Sequence, residues 1–283
     1  MSKALNFLKS FYVHIILLLV YIPLFFAVIF SFNKTSDKDF LSFSWNGVSD
    51  KAWKTFLNEG RAGALLNSII IALITAIIVS AISLVTVYAL YRQKNRAADK
   101  LVKTVTQVSL INPDNIIAIG LVLVFALFVG GLSNITGSGL YRGIIAHTVM
   151  ALPYGITLMY PRSEKFNNYL FEASMDLGYN KIRSWFKTYF VHMLPSIIFA
   201  ALVAMFLSFD DFIIIRTTTN VSTLGTKLYS ENFKSWGLVI GAILLFITLT
   251  LNVSYISYKI IKLRKKNKLL KAQYNGGFSE KKQ

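Results

Sequence analysis

Leu65 to Arg92 reads LLNSIIIALITAIIVSAISLVTVYALYR. No Asp, Glu, Lys or Arg occurs between Arg61 and Arg92, so the run exceeds the roughly 20 apolar residues a helix needs to cross a bilayer. Ala72, Ala76, Ser80 and Ser83 recur every three or four positions. That spacing lines small side chains along one helical stripe and lets a second helix approach closely in lipid. A membrane helix packed against others accounts for both features. Working outward, Phe11–Phe32, Ala64–Tyr91, Leu101–Val129, Leu140–Tyr160, Pro195–Ile215 and Trp236–Ile261 each offer such a span. The expectation is an all-α polytopic membrane protein with six transmembrane helices over residues 1–263, followed by a tail at 264–283.

Composition agrees. Charged residues make up 15% of the chain, against about 25% in soluble domains. The first apolar run is too long for a signal peptide and no small-residue cleavage site follows it, so it is expected to remain as an anchor. With no cysteine, disulfides and thiolate sites are excluded, and nothing calls for a metal or cofactor. The formal net charge of +17 suits either nucleic acid or a membrane surface, and its distribution decides. Two Lys precede the first span, five Lys/Arg lie between Arg92 and Lys103, five between Arg162 and Lys187, and nine from Lys259 on. The alternate connections and the helix ends beside them hold the other nine. This asymmetry predicts a multi-pass protein of the cell membrane with both termini cytoplasmic. The tail KIIKLRKKNKLLK (Lys259–Lys271) then reads as a segment beside anionic lipid. It lacks the base-stacking aromatics and motifs of a nucleic-acid site.

Between the spans, residues 33–63 carry Trp45 and Trp53, which suit interfacial anchoring or the docking of an external protein. In INPDN (Ile111–Asn115), Pro113 removes a backbone donor and bends the helix. Asp114 there either marks a substrate path at membrane depth or caps the second half-helix. GGLSNITGSG (130–139) reads as a flexible loop. His147 is expected to hydrogen-bond between helices; a proton relay is the sharper alternative. The segment from Pro161 to Leu194 is too long for a tight turn. Tyr169, Leu170, Ala173 and Leu177 share one helical face, and Gly178 ends that short helix. A second amphipathic piece carries Ile182, Trp185, Phe186 and Tyr189. Such an elbow docks on another protein or lies on lipid headgroups.

AMFLSFDDFIII (Ala204–Ile215) places two adjacent carboxylates inside an apolar run. Each ionised Asp at mid-helix costs about 2.5–3.5 kcal/mol on insertion scales. Asp210 and Asp211 therefore face a wet cavity or meet cations. On one helix they diverge by about 100°, which turns one to the path and the other to a neighbour. The alternative puts both near a helix end in water, since Arg216 and TTTN follow.

These residues resemble a known family. EASMDLG, Glu172–Gly178, is similar to the EAA-type signature of ABC importer permeases: Glu-Ala-Ala, three residues, then Gly. Ser174 replaces the second Ala, and TYFV (Thr188–Val191) stands where the family has Ile-x-Leu-Pro, with Pro195 four residues further on. The order of FSWNGVSDKAWKTFL, LLNSI, NPDN, ALPYG and the signature resembles these permeases over nearly the whole chain. SFDDF followed by STLGTKLYSENFKSWG resembles the second permease of spermidine/putrescine importers. The resemblance implies a type I importer (MetI-like) permease fold and a coupling loop at 161–194, in which Glu172, Ala173, Ser174 and Gly178 meet an ATPase. It also implies a homologous second permease, two ATP-binding subunits and an extracytoplasmic polyamine-binding protein as partners. Asp114, Asp210 and Asp211 are the expected substrate pathway. Since no G-x-x-x-x-G-K-[ST] loop occurs, the chain is expected to be a non-catalytic subunit. A permease for another solute, an ion-coupled transporter and an intramembrane aspartyl enzyme are the rivals. The enzyme needs facing carboxylates that share a proton, which adjacent residues do not supply.

Overall fold

A computed structural model describes residues 2–35, 40–93, 95–128, 139–230 and 234–279. The loop expected at 130–139 falls almost wholly outside them. The described residues are helical apart from turns and two isolated antiparallel bridges, Asn33 with Val48 and Phe40 with Lys234. The chain forms two compact units, residues 57–231 and residues 1–56 with 232–283.

The larger unit is built around α3 (Arg61–Gln93), α6 (Gly139–Glu164) and α9 (Val191–Phe209), which pack on one another. The small stripe read from the sequence is the contact face: Ala72, Ala76, Ser80 and Ser83 are all buried. Close approach is enforced from α6. A Cβ at Gly155 would overlap Ser83 Oγ and lie 2.8 Å from Val79 Cγ1. Lipid gives apolar helices no reason to associate, so this interlocking contact holds them together.

Helices α4 (Arg96–Ile111) and α5 (Asp114–Phe128) meet at a bend of 110°. Asn112 is extended at φ −68°, ψ 133°, the conformation a following proline imposes. After α6 come α7 (Asn168–Asp176), α8 (Lys181–Trp185), one π turn (Phe186–Phe190) and α9. The elbow at Gly178 has φ +86°, a left-handed conformation costly for other residues. Beneath it, Tyr88, Tyr91, Phe166, Trp185 and Tyr189 form one aromatic cluster. The fully buried Tyr189 shares a 2.7 Å hydrogen bond with Ser163. Arg162 Nε donates to the His192 carbonyl, and His192 Nε2 lies 3.0 Å from the Arg162 carbonyl. The elbow is thereby fixed to α3, α6 and α9.

The expected span Pro195–Ile215 is not one helix. It ends at Phe209 and resumes as α10 (Ile213–Thr218), followed by α11 (Leu224–Tyr229). Asp side chains compete for backbone amides and favour helix termini over interiors, and here they divide the run.

In the smaller unit, α1 (Ser2–Phe30) packs along α12 (Trp236–Ser279), with α2 (Lys51–Thr55) also against α12. Trp53 stacks on Phe32 at 5.1 Å and its Nε1 donates to Ser31 Oγ at 3.2 Å. Trp45 is half exposed, edge-on to Phe30. Among the described residues, α3, α6, the Lys181–Phe209 helix and α12 up to Leu263 are long and apolar enough to cross a membrane, and the bent α4–α5 pair is a fifth if its two halves form one broken span. In α1 the part counted among the described residues, Leu18–Phe30, is shorter. Among the described residues, length and composition thus give four or five spans, against the six expected over the whole chain.

Candidate functional site

The helix break sets the geometry of the two aspartates. Asp210 occupies the C-terminal cap of α9 (φ −98°, ψ 0°) and is exposed. Asp211 is held by the start of the next helix. Its Oδ2 accepts from the backbone N–H of Ile214 at 3.0 Å and of Ile215 at 3.2 Å, capping α10 as Asp does at helix N-termini. Only 8% of the Asp211 side chain is exposed. The two residues sit at a break between helices rather than on one helix, and both line the same cavity.

Asp114, the first residue of α5, is exposed. A carboxylate there is favoured by the helix dipole. Asp114, Asp210 and Asp211 line one cavity of about 480 Å³, with Tyr154, Phe212 and Tyr229 among its walls and no Lys or Arg among the described residues that line it. The three pathway candidates thus meet, although they come from separate elements. The aromatic walls escaped the sequence reading; Tyr154 lay in ALPYG and Tyr229 in GTKLY, and neither motif alone says which way the ring points.

The turn is held from behind. A Cβ at Gly225 would stand 2.5 Å from the Asp211 carbonyl oxygen and 3.1 Å from that of Asp210, so only glycine lets α11 come this near. Thr223 and Thr226 form a capping box at the start of α11. Ser68 Oγ on α3 accepts from Leu224 N–H at 2.9 Å, and Asn67 Nδ2 donates to Ser222 O at 2.9 Å. Pinned this way, α11 places the Tyr229 ring 5.3 Å from that of Phe212. His147 is fully buried with Nε2 3.7 Å from Asp211 Oδ2, and neither ring nitrogen has a hydrogen-bond partner among the described residues. The helix–helix hydrogen bond expected of it is absent there.

Chemically, carboxylates and aromatic faces bind ammonium groups through charge-assisted hydrogen bonds and cation–π contacts, and the Phe212 ring already carries one such contact, with the Arg216 guanidinium 5.2 Å from its centroid. The carboxylates repel anions.

The elbow residues lie elsewhere. The 19 residues of α9, about 28 Å of helix, separate the aspartates from the π turn and α8. Glu172 and Ala173 are exposed on α7, with Glu172 Oε1 accepting from Asn168 Nδ2 at 2.5 Å. Ser174 is buried and donates to the Phe171 carbonyl at 2.7 Å. Leu177 is 78% and Ile182 72% exposed, so apolar side chains flank the elbow and stand uncovered.

An all-helical bundle with several membrane-length helices, an acidic cavity and a projecting elbow defines a membrane-embedded transport component. Residues 82–267 match the family described as binding-protein-dependent transport system inner membrane component, and the chain belongs to that family. It is 33% identical to the spermidine/putrescine transport system permease protein PotC homolog of Mycoplasma genitalium, over 94% of this chain and 95% of that protein. It is 34% identical to the corresponding Mycoplasma pneumoniae protein over 94% of each. With the PotC protein of Haemophilus influenzae it shares 27% identity over 76% of this chain and 80% of the other.

Proposed function

We propose that this chain is the permease subunit of an ATP-driven importer that carries polyamines such as putrescine and spermidine into the cell. The observation that carries this reading is the cavity where Asp114, Asp210 and Asp211 meet aromatic walls, with no Lys or Arg among the described residues that line it. The names of the relatives support it. Both termini lie in the cytoplasm, on the charge asymmetry of the loops, so the elbow is cytoplasmic and the carboxylate cavity opens toward the outer side.

The chain does no chemistry on its cargo. A binding protein delivers the polyamine, and its ammonium groups exchange water for the carboxylates and aromatic faces. Asp210 makes the first contact because it is exposed; Asp211 contributes its charge from a fixed cap position. A homologous second permease closes the other side of the path. ATP is hydrolysed by two partner subunits, one of which receives Glu172, Ala173 and the exposed apolar side chains around Gly178. Ser174 faces inward and keeps α7 seated. Movement of the elbow reaches the cavity along the continuous Lys181–Phe209 helix, and the transporter shifts between outward- and inward-open populations.

The test is uptake by the complete transporter in proteoliposomes. Putrescine and spermidine should accumulate when ATP is present, with or without an ion gradient, and a dicarboxylate should not. Uptake that persists without ATP but stops when the gradient collapses would replace this reading with an ion-coupled one.

A further inference from the structure

A second carboxylate–aromatic site lies at the opposite end of α4 from Asp114. Asp99 Oδ1 accepts from the Tyr160 hydroxyl at 2.6 Å. Its Oδ2 is 3.0 Å from Lys103 Nζ, and that ammonium also sits 4.3 Å from the centroid of the Tyr160 ring. A primary alkylammonium is therefore already held by a carboxylate and an aromatic face together. Beside it opens a cavity of about 260 Å³ lined by Tyr91, Asn95, Arg96, Asp99, Tyr160 and Glu164, which adds a second carboxylate.

We infer that Asp99 and Tyr160 form an ammonium-binding site at the cytoplasmic end of the path, occupied at rest by Lys103 and taken over by an ammonium group of the departing cargo. The identity of that cargo rests on the reading above. Lys103 carries the same chemical group as each end of putrescine. An incoming ammonium meets the same carboxylate and ring face that Lys103 vacates, so its hydrogen bond and cation–π contact replace those lost. A neutral or anionic solute offers no such exchange. Lys103 is 46% and Asp99 33% exposed, so water reaches the pair and exchange needs no unpacking. The second ammonium of a diamine has Glu164 within the adjoining cavity. Asp99 and Lys103 tie α4 to α6 through Tyr160, so displacing Lys103 removes one of these ties at the moment cargo leaves.

Equilibrium dialysis of radiolabelled n-butylammonium and putrescine against the complete transporter in nanodiscs tests this. Lys103→Met should reveal one additional ammonium site at least tenfold tighter than any the wild type shows there. The added site should vanish in Lys103→Met/Asp99→Asn. Lys103→Gln serves if the Met variant does not assemble. No added site in either variant, or one that survives Asp99→Asn, overturns the inference. Since n-butylammonium reports the site whatever the cargo, a gain in binding without polyamine uptake by the wild type would leave the site standing and remove the polyamine. Uptake without the gain would remove the site alone.

Discussion

Asp211 serves two purposes that substitution separates. Its carboxylate caps α10 through two backbone hydrogen bonds, at 3.0 and 3.2 Å, and supplies charge to the cavity. Asn caps about as well as Asp, so Asp211→Asn keeps the acceptor and loses the charge, with about 0.3–1 kcal/mol of dipole interaction. Asp211→Ala also strands two amides in a nearly dry turn, a loss of about 1–2 kcal/mol. A carboxylate about 4 Å from an ammonium gains about 4 kcal/mol at an effective dielectric of 20 and about 1 kcal/mol in bulk water. An open, partly wet cavity lies toward the lower figure, so about 1–2 kcal/mol, or roughly 5–30-fold in affinity, is expected. Both variants should therefore raise the half-saturating putrescine concentration by that factor in proteoliposome uptake. The Ala variant should lower the melting temperature of the purified protein by roughly 2–6 °C, clearly more than the Asn variant, which loses only the dipole interaction. An Asn variant with wild-type affinity, or an Ala variant as stable as Asn, would refute the division of roles.

Gly225→Ala drives a Cβ into the Asp210–Asp211 backbone; overpacking of this kind costs about 1–3 kcal/mol, and thermal melts with uptake assays should show a less stable protein and weakened transport together. Glu172→Ala removes an exposed side chain whose bond is to Asn168, so the melting temperature should hold while cargo-stimulated ATP hydrolysis falls at least tenfold. Tyr189→Phe deletes the buried hydrogen bond to Ser163 and should destabilise by about 0.5–1.5 kcal/mol, read as a lower melting temperature with uptake retained below it.

Much of the bundle was legible because lipid imposes long apolar runs and close packing selects small residues; Ala72, Ala76, Ser80 and Ser83 lie buried as their spacing foretold. Pro113 announced a break, since proline restricts the residue before it, but not the 110° of the bend, nor the contact that joins α4 to α6 through Asp99 and Tyr160, 61 positions apart. The Asp210–Asp211 break was misread for a definite reason. Hydropathy sees a continuous run from Ala204 to Ile215, whereas the competing hydrogen bonds from Ile214 and Ile215 to Asp211 are local and leave no periodic mark. The acidic residues of the cavity could be named from their cost in an apolar run. The aromatic walls and the Gly225 contact could not, because they arise from tertiary approach of α6 and α11.

The most direct test of the central claim is a neutralisation series: Asp114→Asn, Asp210→Asn and Asp211→Asn, singly, in pairs and together, in the reconstituted transporter, with spermidine uptake measured at subsaturating concentration. A cavity that recognises ammonium groups predicts stepwise loss, about 5–30-fold for each charge removed, while assembly with the ATPase stays intact. A triple variant that assembles and carries spermidine at the wild-type rate would contradict the account.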